Sequence, residues 1–249
     1  MNVQERFVVF AGPAPDRVGA KQQAHRPAAD QRDQRQSDAL NQRAKPGPGD
    51  FIACADGGYE LCVRAGLKPA VVMGDFDSLP EGQIPEIKSR GIECLAYPRE
   101  KDETDTLLCC KYGLARGFRR FLIVGGIGGD LGHTVANLQV LSFLTDMECE
   151  AEIMTANERL FMADGETLPV RGTARPSVPA VFCGTPGARF SVFSYAERSS
   201  GVCIKNAKYS LSDAVLTQSY PVGVSNEFIN KEPVTVSVRY GRLLIITQV

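Results

Sequence analysis

Residues 69–78 read Pro69-Ala70-Val71-Val72-Met73-Gly74-Asp75-Phe76-Asp77-Ser78, and the fold turns on how they are read. Four apolar residues, two of them β-branched, run into a glycine and then into two carboxylates spaced i, i+2. That is the pattern of a buried strand with an acidic tip. In an open α/β sheet, chemistry gathers beyond the carboxyl ends of the strands, where this tip would lie. If the backbone stays extended, Asp75 and Asp77 point to one side with Cα atoms about 6.5 to 7 Å apart. Carboxylates brought to ~4 Å repel by about 4 kcal/mol at an effective dielectric near 20. A hard divalent cation removes that cost, and oxygen ligands of this kind suit Mg²⁺. An Asp-x-Asp-Ser sequence also forms turns, because Asp and Ser hydrogen-bond their own backbone. A second acidic cluster downstream, Lys101-Asp102-Glu103-Thr104-Asp105, tips the reading toward a site.

Composition bounds the rest. A chain of 249 residues with 43% hydrophobic and 23% charged content suits a soluble globular protein of one large or two modest domains. A net charge of −1 argues against nucleic acid as partner. The eight cysteines include no Cys-x-x-Cys pair, so they read as reduced thiols of a cytoplasmic protein and not as a zinc site. Phe7 to Ala11, the longest N-terminal apolar run, is too short for a signal core or a membrane span.

Arg6 to Ala11 reads as a first strand closed by Gly12-Pro13. From Arg17 to Lys45 the texture changes to six glutamines, seven basic and three acidic residues, with Val18 and Leu40 the large aliphatics. Residues 17–48 are therefore expected to be a loop or disordered insertion. An altered reading frame would produce the same abrupt shift, which resequencing the coding DNA tests. Order resumes with a strand at Phe51 to Ala55, the turn Asp56-Gly57-Gly58 and a helix from Tyr59 to Ala65. Asp56 could hydrogen-bond a ribose hydroxyl and the glycines let backbone approach a ligand, or the three residues are simply a glycine turn before the helix. A helix over Glu81 to Arg90 and a strand over Ile92 to Ala96 come next. A helix over Asp102 to Arg116 would set Asp102 and Asp105 on one face beside Asp75 and Asp77. Asp102 also suits an N-cap, and acids at a helix start complement its dipole.

Phe121 to Val124 is a strand emptying into Gly125-Gly126-Ile127-Gly128-Gly129-Asp130-Leu131-Gly132, followed by a helix over His133 to Leu144. A glycine-rich turn at a helix N-terminus is a ready anion site, and His133 and Asn137 share a helix face that can reach it, although His133 alone equally suits a capping or packing role. Strands and helices alternate to Met154, as in a doubly wound parallel sheet. Beyond lies an antiparallel β domain, with runs at Arg189 to Ser194, Val202 to Ile204, Ala214 to Thr217, Val234 to Tyr240 and Leu243 to Thr247. The last two are joined at Tyr240-Gly241-Arg242, a hairpin signal. The expected fold class is α/β, with a nucleotide-binding catalytic domain over 1–160 and an antiparallel β-sandwich over 161–249.

Asp56-Gly57-Gly58, Gly74-Asp75-Phe76-Asp77-Ser78, Lys101-Asp102-Glu103-Thr104-Asp105, Gly128-Gly129 through His133-Thr134-Val135-Ala136-Asn137, and Gly223-Val224-Ser225-Asn226-Glu227-Phe228 resemble, in order, the motif set of the thiamine pyrophosphokinase family. The resemblance covers residues 51–154 and about 189–249. It implies transfer of the β,γ-pyrophosphoryl group of ATP to the hydroxyethyl oxygen of thiamine, giving thiamine diphosphate and AMP, in a homodimer with active sites between subunits. It implies Mg²⁺ on Asp75, Asp77 and Asp105, with Asp102 close by; one of these four aspartates would be the base for the hydroxyl. Asp56, Gly57, Gly58, Lys101, Thr104, Gly125, Gly126, Gly128, Gly129, His133 and Asn137 would serve ATP, and Ser225 and Asn226 thiamine. Two departures stand out: Asp130-Leu131-Gly132-His133 where the family usually has Arg-Leu-Asp-His, and the segment Arg17 to Lys45 in place of a helix. Two rival readings remain. A phosphatase of the haloacid dehalogenase type would use Asp75 as nucleophile and Asp77 as acid, although that motif normally opens its domain. A degenerate thiamine-binding protein would bind without turnover and regain activity on Gly132→Asp.

Overall fold

The computed structural model describes residues 5–12, 40, 45–77, 79, 82–166 and 177–249. The chain divides into two compact units after Asn157.

The first unit holds six strands: β1 (Phe7–Ala11), β2 (Phe51–Ala55), β3 (Val71–Gly74), β4 (Glu93–Ala96), β5 (Arg120–Gly125) and β6 (Glu150–Met154). All neighbours pair in parallel, in the order β6-β5-β1-β2-β3-β4. The chain builds outward from β1 to β4, then returns to the other side of β1. The order therefore reverses between β1 and β5, where a doubly wound sheet opens its ligand crevice. Among the described residues, the helices whose bounds are defined in this unit are α1 (Gly58–Arg64), α2 (Gln83–Ser89), α3 (Asp105–Ala115) and α4 (Leu131–Asp146).

The strands are nearly all apolar because both faces of the sheet are covered. Val8, Phe10, Cys54, Val72, Leu122 and Val124 pack with Tyr59 and Cys62 of α1 and Ile87 of α2. Leu40 is buried in the same core. That departs from the expectation of an unburied insertion; residues 17–39 and 41–44 lie outside the described residues. α3 approaches the sheet through Gly113, where a Cβ would come within 2.8 Å of Phe7 and Phe121. All eight cysteines are free thiols, and burial pushes those of Cys54, Cys109 and Cys110 up, keeping them protonated and inert.

The second unit is a sandwich of two antiparallel sheets. One runs β12 (Asn226–Glu227), β9 (Arg189–Ser194), β14 (Arg242–Gln248), β7 (Glu158–Asp164). The other runs β11 (Leu211–Thr217), β10 (Arg198–Lys205), β13 (Val234–Ser237), β8 (Ala180–Phe182). Between them lie Phe182, Phe190, Phe228, Val202, Val236, Leu243 and Ile245. The hairpin expected at Tyr240-Gly241-Arg242 is not formed. β13 and β14 belong to different sheets, and the segment crosses between them, with Gly241 at φ 98° and too close to Arg198 and Ser199 for a side chain. Among the described residues, no helix is long and apolar enough to cross a membrane.

Candidate active site

Carboxylates gather at the carboxyl ends of β2 and β3. Asp56, Asp75 and Asp77 each offer a carboxylate oxygen within 4.8 Å of the others, with Asp56 buried, Asp75 half-buried and Asp77 exposed. The extended geometry anticipated for Asp75-Phe76-Asp77 does not occur. Phe76 adopts φ 60°, and the Asp77 N–H donates to Asp75 Oδ1 at 3.2 Å, so the acids converge through a turn. Turn and cluster are one structure. Asp56 also lies in the left-handed region, at φ 39°, with its N–H donating to the Met73 carbonyl at 2.8 Å and its carbonyl accepting from Tyr59 N–H at 3.0 Å. Non-glycine residues held this way cost of order 1 kcal/mol or more and gather at functional sites.

Gly74 makes room for this crowding. A Cβ on it would stand 2.9 Å from Asp56 Cβ and 3.3 Å from Asp105 Cγ. Asp105, the first residue of α3, forms an ion pair with Lys101 Nζ at 3.2 Å. Burial pushes its carboxyl above the usual range, Lys101 pulls it back, and Asp75 and Asp77 raise it further. Lys101 also donates to the Pro98 carbonyl at 3.2 Å. Thr104, expected at the nucleotide, is the N-cap of α3, its hydroxyl accepting from Leu107 N–H at 3.2 Å. Since α3 begins at Asp105, Asp102 lies before the helix and is exposed; the shared helical face expected for Asp102 and Asp105 is absent. Arg99, which the motif spacing did not single out, approaches Asp77 Oδ2 with its Nη2 at 3.3 Å. Its signal in the sequence was a cation two residues before Lys101.

At the crevice between β1 and β5, Gly125, Gly126, Gly128 and Gly129 all have positive φ, 83°, 73°, 97° and 68°. Gly125 is indispensable to the close approach, since a Cβ there would lie 2.4 Å from the Ala11 carbonyl oxygen. The loop is tied down from α4. Asn137, buried, donates from Nδ2 to the Gly126 carbonyl at 2.7 Å, and the Gly128 N–H donates to Thr134 Oγ1 at 3.0 Å. Asn137 thus shapes the loop, whereas His133 is exposed. α4 starts at Leu131, two residues before the expected His133, because Asp130 caps it by accepting the His133 N–H at 3.0 Å. Gly57 stands at the N-cap position of α1, and Gly58 packs so tightly on β1 that a Cβ would overlap the Phe10 carbonyl.

Ser225 and Asn226 belong to the second unit. Ser225, at φ 60°, donates its N–H to Ser191 Oγ at 3.1 Å and helps line a cleft of about 200 Å³ with Glu158, Arg189, Gln248 and neighbours. The buried Asn226 side chain is engaged within the fold, accepting from Tyr209 N–H at 3.0 Å and donating to the Tyr209 carbonyl at 2.8 Å.

An acidic cluster and a glycine loop at the carboxyl edge of a doubly wound sheet, on a chain that also carries a β-sandwich, define an enzyme of the phosphoryl-transfer class. The family model for the thiamin pyrophosphokinase catalytic domain matches residues 48–153, and that for the thiamin pyrophosphokinase vitamin B1 binding domain matches residues 185–243. The thiamine pyrophosphokinase of Bacillus subtilis (strain 168) is 23% identical over 191 residues, covering 77% of this chain and 84% of the relative. The fold is shared with the crystal structure of the Bacillus subtilis enzyme (TM-score 0.76, 18% identity, 98% and 99% of the two chains) and with yeast thiamin pyrophosphokinase (TM-score 0.70, 13% identity, 100% and 88%). The chain belongs to the thiamin pyrophosphokinase family, and its activity is that family's.

Proposed function

We propose that the carboxylate cluster of the first unit is where ATP gives its β,γ-pyrophosphoryl group to thiamine. The observation that carries this reading is the convergence of Asp56, Asp75 and Asp77 within 4.8 Å at the strand ends, in the unit that bears the glycine loop. Three hard oxygen donors fit Mg²⁺; Asp75, Asp77 and Asp56 would hold it, with Asp105 alongside. Asp56 thus moves from the ribose role expected for it to the metal set. Bound there, the ion would neutralise phosphate charge and polarise the transferred group.

The remaining work falls to the chain. The hydroxyethyl oxygen of thiamine attacks the β-phosphorus in line; its bond to phosphorus forms as the bond to the α,β-bridging oxygen breaks, and AMP leaves with that oxygen. The hydroxyl proton passes to a carboxylate. Such a transfer needs positioning and charge neutralisation more than covalent help. The glycine loop lets backbone come close to the phosphates, Asn137 fixes that loop, and Lys101 holds Asp105 in place. Ser225 and its cleft are assigned to thiamine, while Asn226 supports the segment that carries Ser225. The family resemblance further supports a cytoplasmic homodimer with active sites between subunits, checked by sedimentation.

Incubation with thiamine, ATP and Mg²⁺, followed by separation of the nucleotides, is the test. AMP formed in step with thiamine diphosphate is expected. ADP would refute pyrophosphoryl transfer, and phosphate released without thiamine would favour the phosphatase. Thiamine bound without turnover would favour a degenerate binder.

A further inference from the structure

Charge around the cluster is lopsided. Asp56, Asp75, Asp77 and Asp105 crowd it, and a nucleoside triphosphate brings more negative charge. Among the described residues, the loops leaving the carboxyl ends of β2 to β6 carry two lysines or arginines, Arg99 and Lys101, both between β4 and α3. Lys101 is already committed, 13% exposed in its ion pair with Asp105 and donating to Pro98. Arg99 stands differently: its Nη2 is 3.3 Å from Asp77 Oδ2, yet the side chain is 75% exposed. The glycine loop meanwhile ends in Asp130 and carries no cation, where the family resemblance led us to expect an arginine.

We propose that Arg99 grips the β- and γ-phosphates of the nucleotide, and that its ion pair with Asp77 is the resting position from which it turns to them. The inference rests on the ATP reading of the cluster. An ion pair this exposed is held weakly, so exchanging partners costs little. A guanidinium meets two phosphate oxygens at once, and a divalent cation on Asp77 draws off the negative charge that now holds Arg99. As metal and nucleotide enter, Asp77 turns to the metal and Arg99 to the phosphates. The chain thereby supplies from the β4–α3 loop a positive charge that its glycine loop lacks.

Calorimetric binding separates the possibilities. Wild type, Arg99→Ala and Arg99→Lys are titrated with α,β-methylene-ATP plus Mg²⁺, with AMP, and with Mn²⁺ alone, each folded protein being checked by its melting curve. Arg99→Ala is expected to weaken the triphosphate analogue about tenfold or more, the scale of a lost charge-assisted hydrogen bond, while AMP changes less than about twofold. Mn²⁺ alone should bind at least as tightly, a competing cation having gone, and Arg99→Lys should recover part of the loss. Unchanged analogue binding would overturn the proposal, as would an equal loss of AMP, or a loss of Mn²⁺ that accounts for the effect. A wild-type protein that binds no analogue would sink the ATP reading itself; one that binds it while Arg99→Ala matches sinks the assignment of Arg99 alone.

Discussion

Replacing Asp75 by Asn should make the metal-free protein more stable and the metal-loaded protein less so. The amide oxygen of Asn can still accept the Asp77 N–H that Asp75 Oδ1 accepts at 3.2 Å, so the turn survives and the charge goes. Asp75 takes part in two of the three carboxylate pairs drawn within 4.8 Å. At that separation each pair repels by about 0.9 kcal/mol in a water-like medium and about 3.5 kcal/mol at an effective dielectric of 20. With Asp77 exposed and Asp75 half-buried, the lower figure governs, and relief of both pairs is worth about 2 kcal/mol. In a chain of this length that raises the melting temperature by about 4 to 8 °C. Mg²⁺ at a hundred times its dissociation constant would stabilise the wild type by about 2.7 kcal/mol, and the variant hardly at all. Melting curves in EDTA and in excess Mg²⁺ should therefore cross over: the variant melts higher without metal, the wild type with it. A variant that melts lower in EDTA, or equal Mg²⁺ shifts for both proteins, would refute the argument.

Asp105 holds its proton more tightly folded than unfolded, because burial and the neighbouring acids outweigh Lys101. Its contribution to stability therefore falls as pH rises from the ordinary value of 3.8 through its raised folded value, and the wild-type minus Asp105→Asn difference in metal-free urea unfolding should show that slope; a difference that rises with pH would refute it. Asn137→Leu strands the Gly126 carbonyl that Nδ2 now meets at 2.7 Å, and should cost about 1 to 3 kcal/mol in urea unfolding and raise the KM for ATP. Gly132→Asp on its own should not raise thiamine diphosphate formation, because its Cβ would stand 2.9 Å from Asp130 Oδ1 and a second carboxylate would crowd the cap. A large gain in turnover from that single change would show that Gly132, and not its surroundings, is the defect.

Strands of the first unit were legible because a parallel sheet covered on both faces writes itself as unbroken apolar runs. β1, β2 and β5 were all visible this way. In the second unit the signal thinned. β7, with Glu158 and Arg159 ahead of Leu160-Phe161-Met162, has no clean alternation, and β8 and β12 span three and two residues. The misread hairpin has a physical cause. Tyr240-Gly241-Arg242 announces a reversal, but which sheet each flanking strand joins depends on partners far along the chain: β10 and β8 for β13, β7 and β9 for β14.

The site shows a parallel division. Residue types disclosed the acids, since carboxylates gathered after apolar strands repel one another unless a cation joins them, but pairing was settled by backbone conformations that spacing does not encode. Left-handed Phe76 turns an expected extended pair into a convergent one, and left-handed Asp56 joins them. Helix starts were decided by competition among caps: Thr104 prevailed over Asp102, so Asp105 alone enters the helix, and Asp130 began α4 ahead of His133. The last case also bears on the departure from the family pattern. An aspartate in place of the usual arginine removes a cation from the glycine loop, yet it caps α4, the helix that supplies Asn137 and Thr134 to that loop. One residue both caps that helix and leaves the glycine loop without a cation. A chain built this way draws positive charge from another loop, and among the described residues the β4–α3 loop, with Arg99 at Asp77, is where it stands.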